Sequence, residues 1–282
     1  MIFNIISNLD ENFKIEKFNA YNHTIAYSLR KELRIQGHKV NLVRDHSNDA
    51  PPPCTHTIVV SNVAINKFLK SLDYRMLHRN ATTDKICLWI DSDFADWRGL
   101  FDPVFCAARC THRYPEMYVK VGWAADPEFF YPAQTTKTVF VDSFMWGWYN
   151  GKYDYVYESI KNVLADLELS VIQLVPEYNK VRRATWQEMI QAFRKSSFHV
   201  CTQIGGWGWT NIEAATCGAL LVCHAALHRP ETFPSPLNLK VWSTEQELRD
   251  ILNGEVDVLA NRKLALENTW RKIVKKVLGA VQ

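Results

Sequence analysis

The stretch most able to do chemistry lies at residues 200–223, VCTQIGGWGWTNIEAATCGALLVC. An apolar run leads into a glycine-rich turn at 205–208, and a short helical segment follows that Gly218 is placed to end. Glycines let backbone N–H groups approach a phosphate closely, and the start of a helix adds a partial positive charge. Glu213 lies one turn into the helical segment, where a carboxylate could accept hydrogen bonds from a ribose. This order predicts half of a nucleotide-binding α/β unit; the alternative is a tight turn before a core helix.

The same stretch resembles the donor-binding segment of retaining GT-B glycosyltransferases and of the related spore-maturation CgeB-like group. Their pattern is a Glu, then Gly-aromatic-Gly, then Glu-Ala-small-x-x-Gly before an apolar strand, and residues 206–208 and 213–218 fit it. In that family the second Glu holds the nucleotide ribose, which implies this role for Glu213. The first Glu would fall at Gly205, so this chain has no carboxylate there to bind the sugar. The donor-binding residues that the resemblance implies are Gly205, Gly206, Trp207, Gly208, Trp209, Thr210, Asn211 and Glu213.

A second resemblance lies at residues 118–132, YVKVGWAADPEFFYP. GT-B enzymes commonly close their N-terminal domain with a similar stretch, and the matching residues here are Trp123, Ala124, Ala125, Asp126, Phe130 and Pro132. Two motifs in the family's order imply an α/β protein of the GT-B fold. Such a protein has two Rossmann-like domains with parallel sheets facing an interdomain cleft, and a C-terminal helix that crosses back. The implied domains are an acceptor-side domain at 1–134, a nucleotide-sugar-binding domain at 135–258 and a C-terminal helix at 259–282.

The resemblance implies a glycosyltransferase of the hexosyltransferase type. It would move a sugar from a nucleotide-diphosphate sugar, with a UDP-sugar as first choice, to an acceptor hydroxyl without a metal or other cofactor. Many family members place an Arg and a Lys after the first strand of the second domain, where a cation stabilises the leaving diphosphate. Lys152 stands at about the Lys position, whereas the Arg position falls near Asp142, which is acidic. Arg182 and Arg183, after the next predicted strand, are the replacement candidates.

Two carboxylates, Asp91 and Asp93, follow another apolar run and support a different hypothesis. An apolar strand followed by Asp-x-Asp resembles the metal site of GT-A glycosyltransferases, where paired carboxylates hold Mn²⁺ or Mg²⁺ against the donor. That alternative leaves the two GT-B motifs unexplained. In a GT-B protein, Asp91, Asp93 or His23 becomes a candidate for orienting or deprotonating the acceptor hydroxyl.

The acceptor stays open between a glycan, a small molecule, a protein and DNA with hydroxymethylated bases. A DNA acceptor would use a basic edge and stacking tryptophans, for which the candidates are Lys180, Arg182, Arg183, Arg194, Lys195, Trp146 and Trp148. A net charge of +3 and a pI near 8.4 are weak for a dedicated DNA-binding protein. The absence of the first Glu at Gly205 and of the expected Arg favours a third alternative, a non-catalytic nucleotide-sugar or glycan-binding protein.

The predicted elements place the candidate residues at the carboxyl ends of strands. A strand at 2–7, a helix at 21–36 and a strand at 39–43 form a β-α-β opening, which is typical of a doubly wound sheet. In the second half, a strand at 138–142 and a helix at 153–167 precede the glycine-rich turn.

Capping residues predict several helix boundaries. Thr185 is placed to open a helix at 186–194, and Ser243 is the predicted N-cap of a helix at 245–252. The last segment, at about 256–277, predicts one long basic amphipathic helix.

Composition bounds the class of protein. A chain of 282 residues with 47% hydrophobic and 22% charged residues is globular, with room for one large or two modest domains. The seven cysteines are scattered, which predicts free thiols in a reducing cytoplasm. The sequence has no run of about 18 apolar residues, so we expect no membrane-spanning segment. Buried thiols and loop histidines are favoured over zinc ligation because the possible ligands lack a second pair at zinc-finger spacing. Those residues are His224 and His228, and Cys106, Cys110 and His112.

Overall fold

The computed structural model describes residues 1–7, 21–44, 52–60, 86–90, 103–107, 118–134, 136–144, 146–174, 184–204, 208–230 and 236–282. In chain order, its elements are β1 (Ile2–Ser7), α1 (Tyr21–Ile35), β2 (Lys39–Arg44), β3 (His56–Val60), β4 (Ile86–Ile90), β5 (Val104–Cys106), β6 (Tyr118–Lys120), β7 (Thr138–Val141), α2 (Asp154–Asp166), β8 (Ser170–Ile172), α3 (Trp186–Lys195), β9 (Phe198–Cys201), α4 (Gly208–Thr216), β10 (Leu220–His224), β11 (Leu239–Trp242), α5 (Glu245–Asn253), α6 (Val258–Ala265) and α7 (Trp270–Val281). A 3-10 turn spans Trp148–Gly151.

The chain divides into two compact units. The first comprises Met1–Gly122 and Trp270–Gln282, and the second comprises Trp123–Thr269. The division falls before Trp123, whereas the sequence motif placed the boundary at residue 134. Residues 123–134 belong to the second unit because they are bonded to it: the backbone N–H of Ala133 donates to the carbonyl of Arg194, and Gln134 donates to the carbonyls of Ser196 and Cys217.

The first unit is built on a parallel sheet with the described strand order β2-β1-β3-β4-β5-β6. Helix α1 covers the sheet with a buried apolar face formed by Ile25, Ala26, Leu29 and Leu33. Helix α7 packs against α1 and β6. The Nζ atom of Lys276 in α7 donates to the carbonyl of Val121, just after β6, at 3.1 Å. Because parallel sheets are stable when helices cover their faces, both α1 and α7 contribute to this core.

The second unit is built on a parallel sheet with the described strand order β11-β10-β9-β7-β8. Alternating side chains of each strand point to opposite faces. Val139 and Val141 of β7 join the core under α2 and α5, whereas Phe140 packs on Phe193 of α3 on the other face. Helix α4 lies on the same side as α3, against which it packs. The predicted α/β class with parallel sheets is confirmed.

Of the two predicted N-cap residues, one is correct and one is wrong. Thr185 caps α3 as predicted, in a reciprocal capping box with Glu188. At α5 the predicted N-cap, Ser243, is wrong by one residue. The hydroxyl of Thr244 accepts from the Glu247 backbone N–H, and the Glu247 carboxylate accepts from the N–H groups of both Thr244 and Ser243.

The predicted long C-terminal helix is two helices. Helix α6 ends at Ala265 and α7 begins at Trp270. Between them, the backbone N–H groups of Glu267 and Asn268 donate three residues back, to Leu264 and Ala265, which tightens the last turn of α6. Asn268 and Thr269, which have lower helix propensities than alanine or leucine, stand at this break. The break gives α6 to the second unit and α7 to the first.

No described helix is long and apolar enough to cross a membrane. The described cysteines are buried, and they form no disulfide with one another.

Candidate active site in the second unit

The second sheet reverses its strand order between β7 and β9, and this point defines the candidate site. The chain leaves β7 toward α2 on one face and leaves β9 toward α4 on the other. Ligands of open α/β sheets bind in the crevice at such a switch point, outside the carboxyl ends of the strands. The Thr202 hydroxyl, after β9, donates to the carbonyl of Ser143, after β7, at 2.9 Å. The crevice is therefore bordered by the described residues that follow β7, up to 152, and by those that follow β9, up to 213.

Gly208 begins α4 and makes room for an aromatic side chain from the second sequence motif. The glycine is buried, and a Cβ atom there would overlap the indole ring of Trp123. The Trp123 ring also lies edge-on to Trp209, with centroids 5.1 Å apart. The structure thus brings together two motifs that the sequence identified separately, and it shows why the position at 208 excludes a side chain.

Glu213 is the buried acid of the site. Its side chain lies in the middle of α4 and only 8% of the residue is exposed. No described residue forms a hydrogen bond to its carboxyl group. Loss of hydration raises its pKa to about 8, so the group is largely protonated at neutral pH. A ligand hydroxyl pair, such as that of a ribose, would supply the hydrogen bonds that the protein does not.

Asn211 faces the sheet. Its Oδ1 atom accepts from the Cys201 thiol at 3.1 Å, while its Nδ2 atom is buried without a partner among the described residues. This hydrogen bond fastens α4 to the end of β9. Trp209 is buried and Thr210 is half-buried, so among the described residues predicted to bind a donor, Glu213 alone offers a buried and unpartnered carboxyl group.

A buried pair that the sequence did not predict lies beneath the crevice. The Nε2 atom of His199, in β9, lies 3.0 Å from Oδ1 of Asp142, the residue that follows β7. Asp142 is 5% exposed and His199 is fully buried. The other atoms of the pair, Oδ2 of Asp142 and Nδ1 of His199, have no partner among the described residues. The available signal was a histidine inside an apolar strand, and the pair joins the two strands that form the switch point.

Lys152 lies at the end of the 3-10 turn, just before α2. Its side chain is exposed, and its ammonium group is 5.5 Å from the centre of the Tyr153 ring. The ammonium forms no ion pair with a described residue. The predicted position at the crevice rim is thus compatible with contact to a bound phosphate.

Two residues predicted to contact a DNA acceptor, Trp146 and Arg194, make contacts within the second unit instead. Trp146 is half-buried, with Phe144 and Tyr157 against its ring and the Lys161 ammonium 5.4 Å from it, which does not suit a base-stacking wedge. Arg194 donates to the carbonyl of Phe129 and stacks on Tyr131, so it is used within the unit rather than on a basic edge. Both observations weaken the DNA hypothesis as the sequence suggested it.

His224, one of the histidines considered as a possible zinc ligand, has local contacts instead. The Nδ1 atom of His224 accepts from the Ala226 backbone N–H, and its ring packs edge-on to Trp242 and Tyr155. Burial lowers the pKa of His224. No three His, Cys, Asp or Glu side chains of the described part of the chain are grouped to hold a metal ion.

Other predicted residues lie outside the described part of the chain. They are Asp91, Asp93, Cys110, His112, Lys180, Arg182, Arg183, Gly205, Gly206 and Trp207, together with the side chains of His23 and Trp148.

Comparison with known proteins bears on the fold. No protein-family model matches the sequence, and no curated protein is significantly similar to it. The solved structure of AviGT4, a glycosyltransferase involved in avilamycin A biosynthesis, matches with a TM-score of 0.57 at 12% identity, over 99% of this chain and 96% of that one. A Rickettsia africae glycosyltransferase matches with a TM-score of 0.56 at 10% identity, over 99% and 97%. Anabaena HepE, in complex with UDP and glucose, matches with a TM-score of 0.54 at 11% identity, over 99% of both chains.

The protein has the GT-B fold. The likeness extends over nearly the whole chain, so it includes both units. The GT-A alternative that the sequence suggested for Asp91 and Asp93 is therefore wrong as a description of the fold. Within the GT-B fold, the crevice at β7 and β9 becomes the candidate donor site.

Proposed function

We propose that the protein is a glycosyltransferase that takes a sugar from a nucleoside-diphosphate sugar, with UDP-sugars as the first class to test. The observation that carries the proposal is Glu213, a buried carboxyl group without a hydrogen-bond partner among the described residues, at the switch point of a GT-B unit. The solved structures with the same fold are glycosyltransferases, and HepE was crystallised with UDP, with UDP and glucose, and with UDP-glucose.

The donor would place its ribose against Glu213 and its diphosphate between the start of α4 and Lys152. Because Gly208 has no side chain, the Trp123 ring can pack directly against the first residue of α4. The backbone N–H groups of a first helical turn have no partner within the helix, so they can bind an anion such as a phosphate. The ammonium of Lys152 would offset the charge that grows on the diphosphate as it leaves. Arg182 and Arg183 remain candidates for the same role.

In the reaction, the bond between the sugar C1 atom and the β-phosphate oxygen breaks, and the phosphate keeps the electron pair. A new bond forms from C1 to the acceptor oxygen, whose proton leaves to a base. The products are the glycosylated acceptor and a nucleoside diphosphate. No resident metal or other cofactor is included in this proposal.

We extend the proposal to a retaining outcome on the resemblance of residues 206–218 to the retaining group. The acceptor would then attack on the face that the diphosphate leaves, and the phosphate itself would help to take the proton. NMR of the anomeric proton of the product tests this: a configuration opposite to that of the donor contradicts retention.

The acceptor is proposed only as a hydroxyl compound. Of the basic edge suggested for DNA, Arg194 is already engaged with Phe129 and Tyr131, so its side chain is not available to a DNA acceptor. A turnover assay across glycan, small-molecule, protein and hydroxymethylated-DNA acceptors separates these classes. Tight donor binding without turnover on any of them would favour a non-catalytic binding protein.

The decisive experiment is calorimetric titration with UDP, GDP, ADP and TDP, first in excess EDTA and then with Mn²⁺. We expect one nucleotide to bind in EDTA, and Glu213→Ala to weaken its binding about 10- to 100-fold, because the substitution removes the group that would hydrogen-bond to the ribose. The exposed Glu255→Ala serves as the matched control and should bind the nucleotide as the wild type does. Binding that requires Mn²⁺, or that is unchanged in Glu213→Ala, contradicts the proposed donor site.

A further inference from the structure

The turn between β7 and α2, residues 147–152, has an unusual backbone. Four of its residues have positive φ angles: 69° at Gly147, 55° at Tyr149, 58° at Asn150 and 71° at Gly151. Glycine adopts this left-handed region without strain, but a tyrosine does not, and Asn is only better tolerated. Within the described residues, Tyr149 and Asn150 alone are non-glycine residues with positive φ.

Specific contacts hold the turn in this conformation. The backbone N–H of Gly147 donates to both carboxylate oxygens of Asp154, at 3.1 and 3.3 Å. The backbone N–H of Lys152 donates to the carbonyl of Tyr149 at 3.2 Å, and the Tyr149 ring lies edge-on to Tyr153. Strained residues of this kind persist where their surroundings over-determine them, and they concentrate at functional sites.

Tyr149 combines a left-handed backbone with an exposed phenol ring. Glycine at position 149 would adopt the same backbone more easily, so stability does not explain the tyrosine. The residue is 50% exposed, whereas Phe144, Tyr153 and Tyr157 of the same region are buried. The ring is therefore available to a ligand while its backbone is fixed.

The location of the turn indicates which ligand. The turn follows β7, whose carboxyl end lies beside that of β9 at the switch point. In the proposed binding mode, the ribose lies at Glu213 and the diphosphate at Lys152. Tyr149 stands three residues before Lys152 in the same turn, so a donor whose diphosphate contacts Lys152 would bring its sugar close to this turn.

We propose that Tyr149 is a binding platform for the transferred sugar of the donor. The face of the phenol ring would cover an apolar C–H face of the sugar, and removal of that surface from water would favour the bound state. This inference rests on the proposed function and adds a specificity-determining residue to it.

The test compares UDP with UDP-glucose in four proteins: wild type, Tyr149→Gly, Tyr149→Phe and Asn150→Gly. If the panel above selects another base, the corresponding nucleoside diphosphate and its glucose conjugate replace this pair. We expect Tyr149→Gly to weaken UDP-glucose binding about 5- to 10-fold and to leave UDP binding unchanged within about twofold, because the substitution removes only the surface that covers the sugar. Tyr149→Phe keeps the ring and should retain UDP-glucose binding within about threefold. Asn150→Gly relaxes the neighbouring residue without removing a ring and should bind both ligands as the wild type does.

Thermal unfolding controls for damage to the fold. Since Tyr149→Gly removes a left-handed tyrosine, its Tm should stay within about 2 °C of the wild type or rise. The inference is overturned if Tyr149→Gly leaves the ratio of UDP to UDP-glucose affinity unchanged, whether both affinities fall together or neither changes. A wild-type protein that binds no nucleoside diphosphate overturns the proposed function, and this inference with it. Normal nucleotide binding with an unchanged ratio overturns this inference alone.

Discussion

Two segments border the crevice of the second unit, and they differ in backbone conformation and in the exposure of their candidate ligand-binding side chains. Helix α4, after β9, has regular backbone and carries Glu213, whose carboxyl group is buried without a partner among the described residues. The turn after β7 has left-handed backbone and presents Tyr149 and Lys152 to solvent.

The two segments also differ in the physical origin of their unfavourable free energy. At Glu213 it is electrostatic, because burial removes the hydration that an ionised carboxylate needs. At Tyr149 it is conformational, because an L-residue is held at positive φ. Burial can change the pKa of a carboxyl group, whereas the backbone around an exposed ring can change only the position of that ring. In the proposed binding mode, the two segments contact different parts of the donor.

The largest expected effect is on pH-dependent stability and concerns the electrostatic side of this comparison. The folded state raises the pKa of Glu213 from 4.5 to about 8. Between these values the folded protein binds the proton more strongly than the unfolded chain does, so unfolding releases a proton. The free energy of unfolding should thus fall as pH rises, by up to about 1.4 kcal/mol per pH unit, with the contribution intact below pH 4.5 and lost above pH 8.

Urea unfolding of the wild type and of Glu213→Gln across this pH range measures the effect. The amide does not titrate, so the difference in stability between the two proteins should slope with pH. Parallel stability curves for the two proteins would contradict a buried, titrating Glu213.

A second effect concerns the packing that positions α4. We expect Gly208→Ala to lower the free energy of unfolding by about 3 kcal/mol, because the added methyl group overlaps the Trp123 ring in a buried site. The loss should shrink when Gly208→Ala is combined with Trp123→Leu, since the effects of substitutions at neighbouring residues are not additive.

Gly279→Ala is the matched control for that substitution. Gly279 lies in α7, where an added Cβ atom meets nothing within 4 Å, so alanine should stabilise the helix by about 0.5–1 kcal/mol. Equal changes in urea midpoint for the two alanine variants would show that the Trp123 ring does not constrain α4.

The smallest effect concerns the conformational side. Asp154→Ala removes the carboxylate that accepts from Gly147, and we expect the free energy of unfolding to fall by about 1 kcal/mol. Hydrogen exchange at the Gly147 amide should accelerate with it. Glu158→Ala, on the same helix, removes only an exposed ion pair with Lys161 and should change stability by less than about 0.5 kcal/mol. An unaltered exchange rate in Asp154→Ala would mean that the turn keeps its conformation without this anchor.

Much of the fold could be predicted because its signals are local. The β-α-β opening, the capping box of Thr185 and Glu188, and the parallel α/β class follow from periodicity and capping over a few residues. The same local rules failed where two neighbours compete, as at Ser243 and Thr244, and where a turn interrupts an amphipathic pattern, as between α6 and α7.

The site was only half predictable for a similar reason. The spacing from Gly208 to Glu213 belongs to one strand-turn-helix segment, so the sequence places both residues on α4. Tyr149 could not be singled out, because nothing in the order of residues 146–150 shows which aromatic ring will be packed and which exposed. That choice follows from the left-handed backbone that Asp154 helps to hold.

Residue order alone indicated most of the elements, since helix and strand periodicity depends on interactions within a few residues, and the β-α-β alternation indicated a parallel sheet. It also singled out Gly208 and Glu213 within one strand-turn-helix segment. The packing of distant segments determined that Trp123 fills the space beside Gly208, and that His199 pairs with Asp142, 57 residues away. It also buried the Glu213 side chain with no hydrogen bond from a described residue to its carboxyl group. These features depend on which strands become neighbours and on what each helix covers, and burial then sets the pKa of a group whose identity the sequence had already shown.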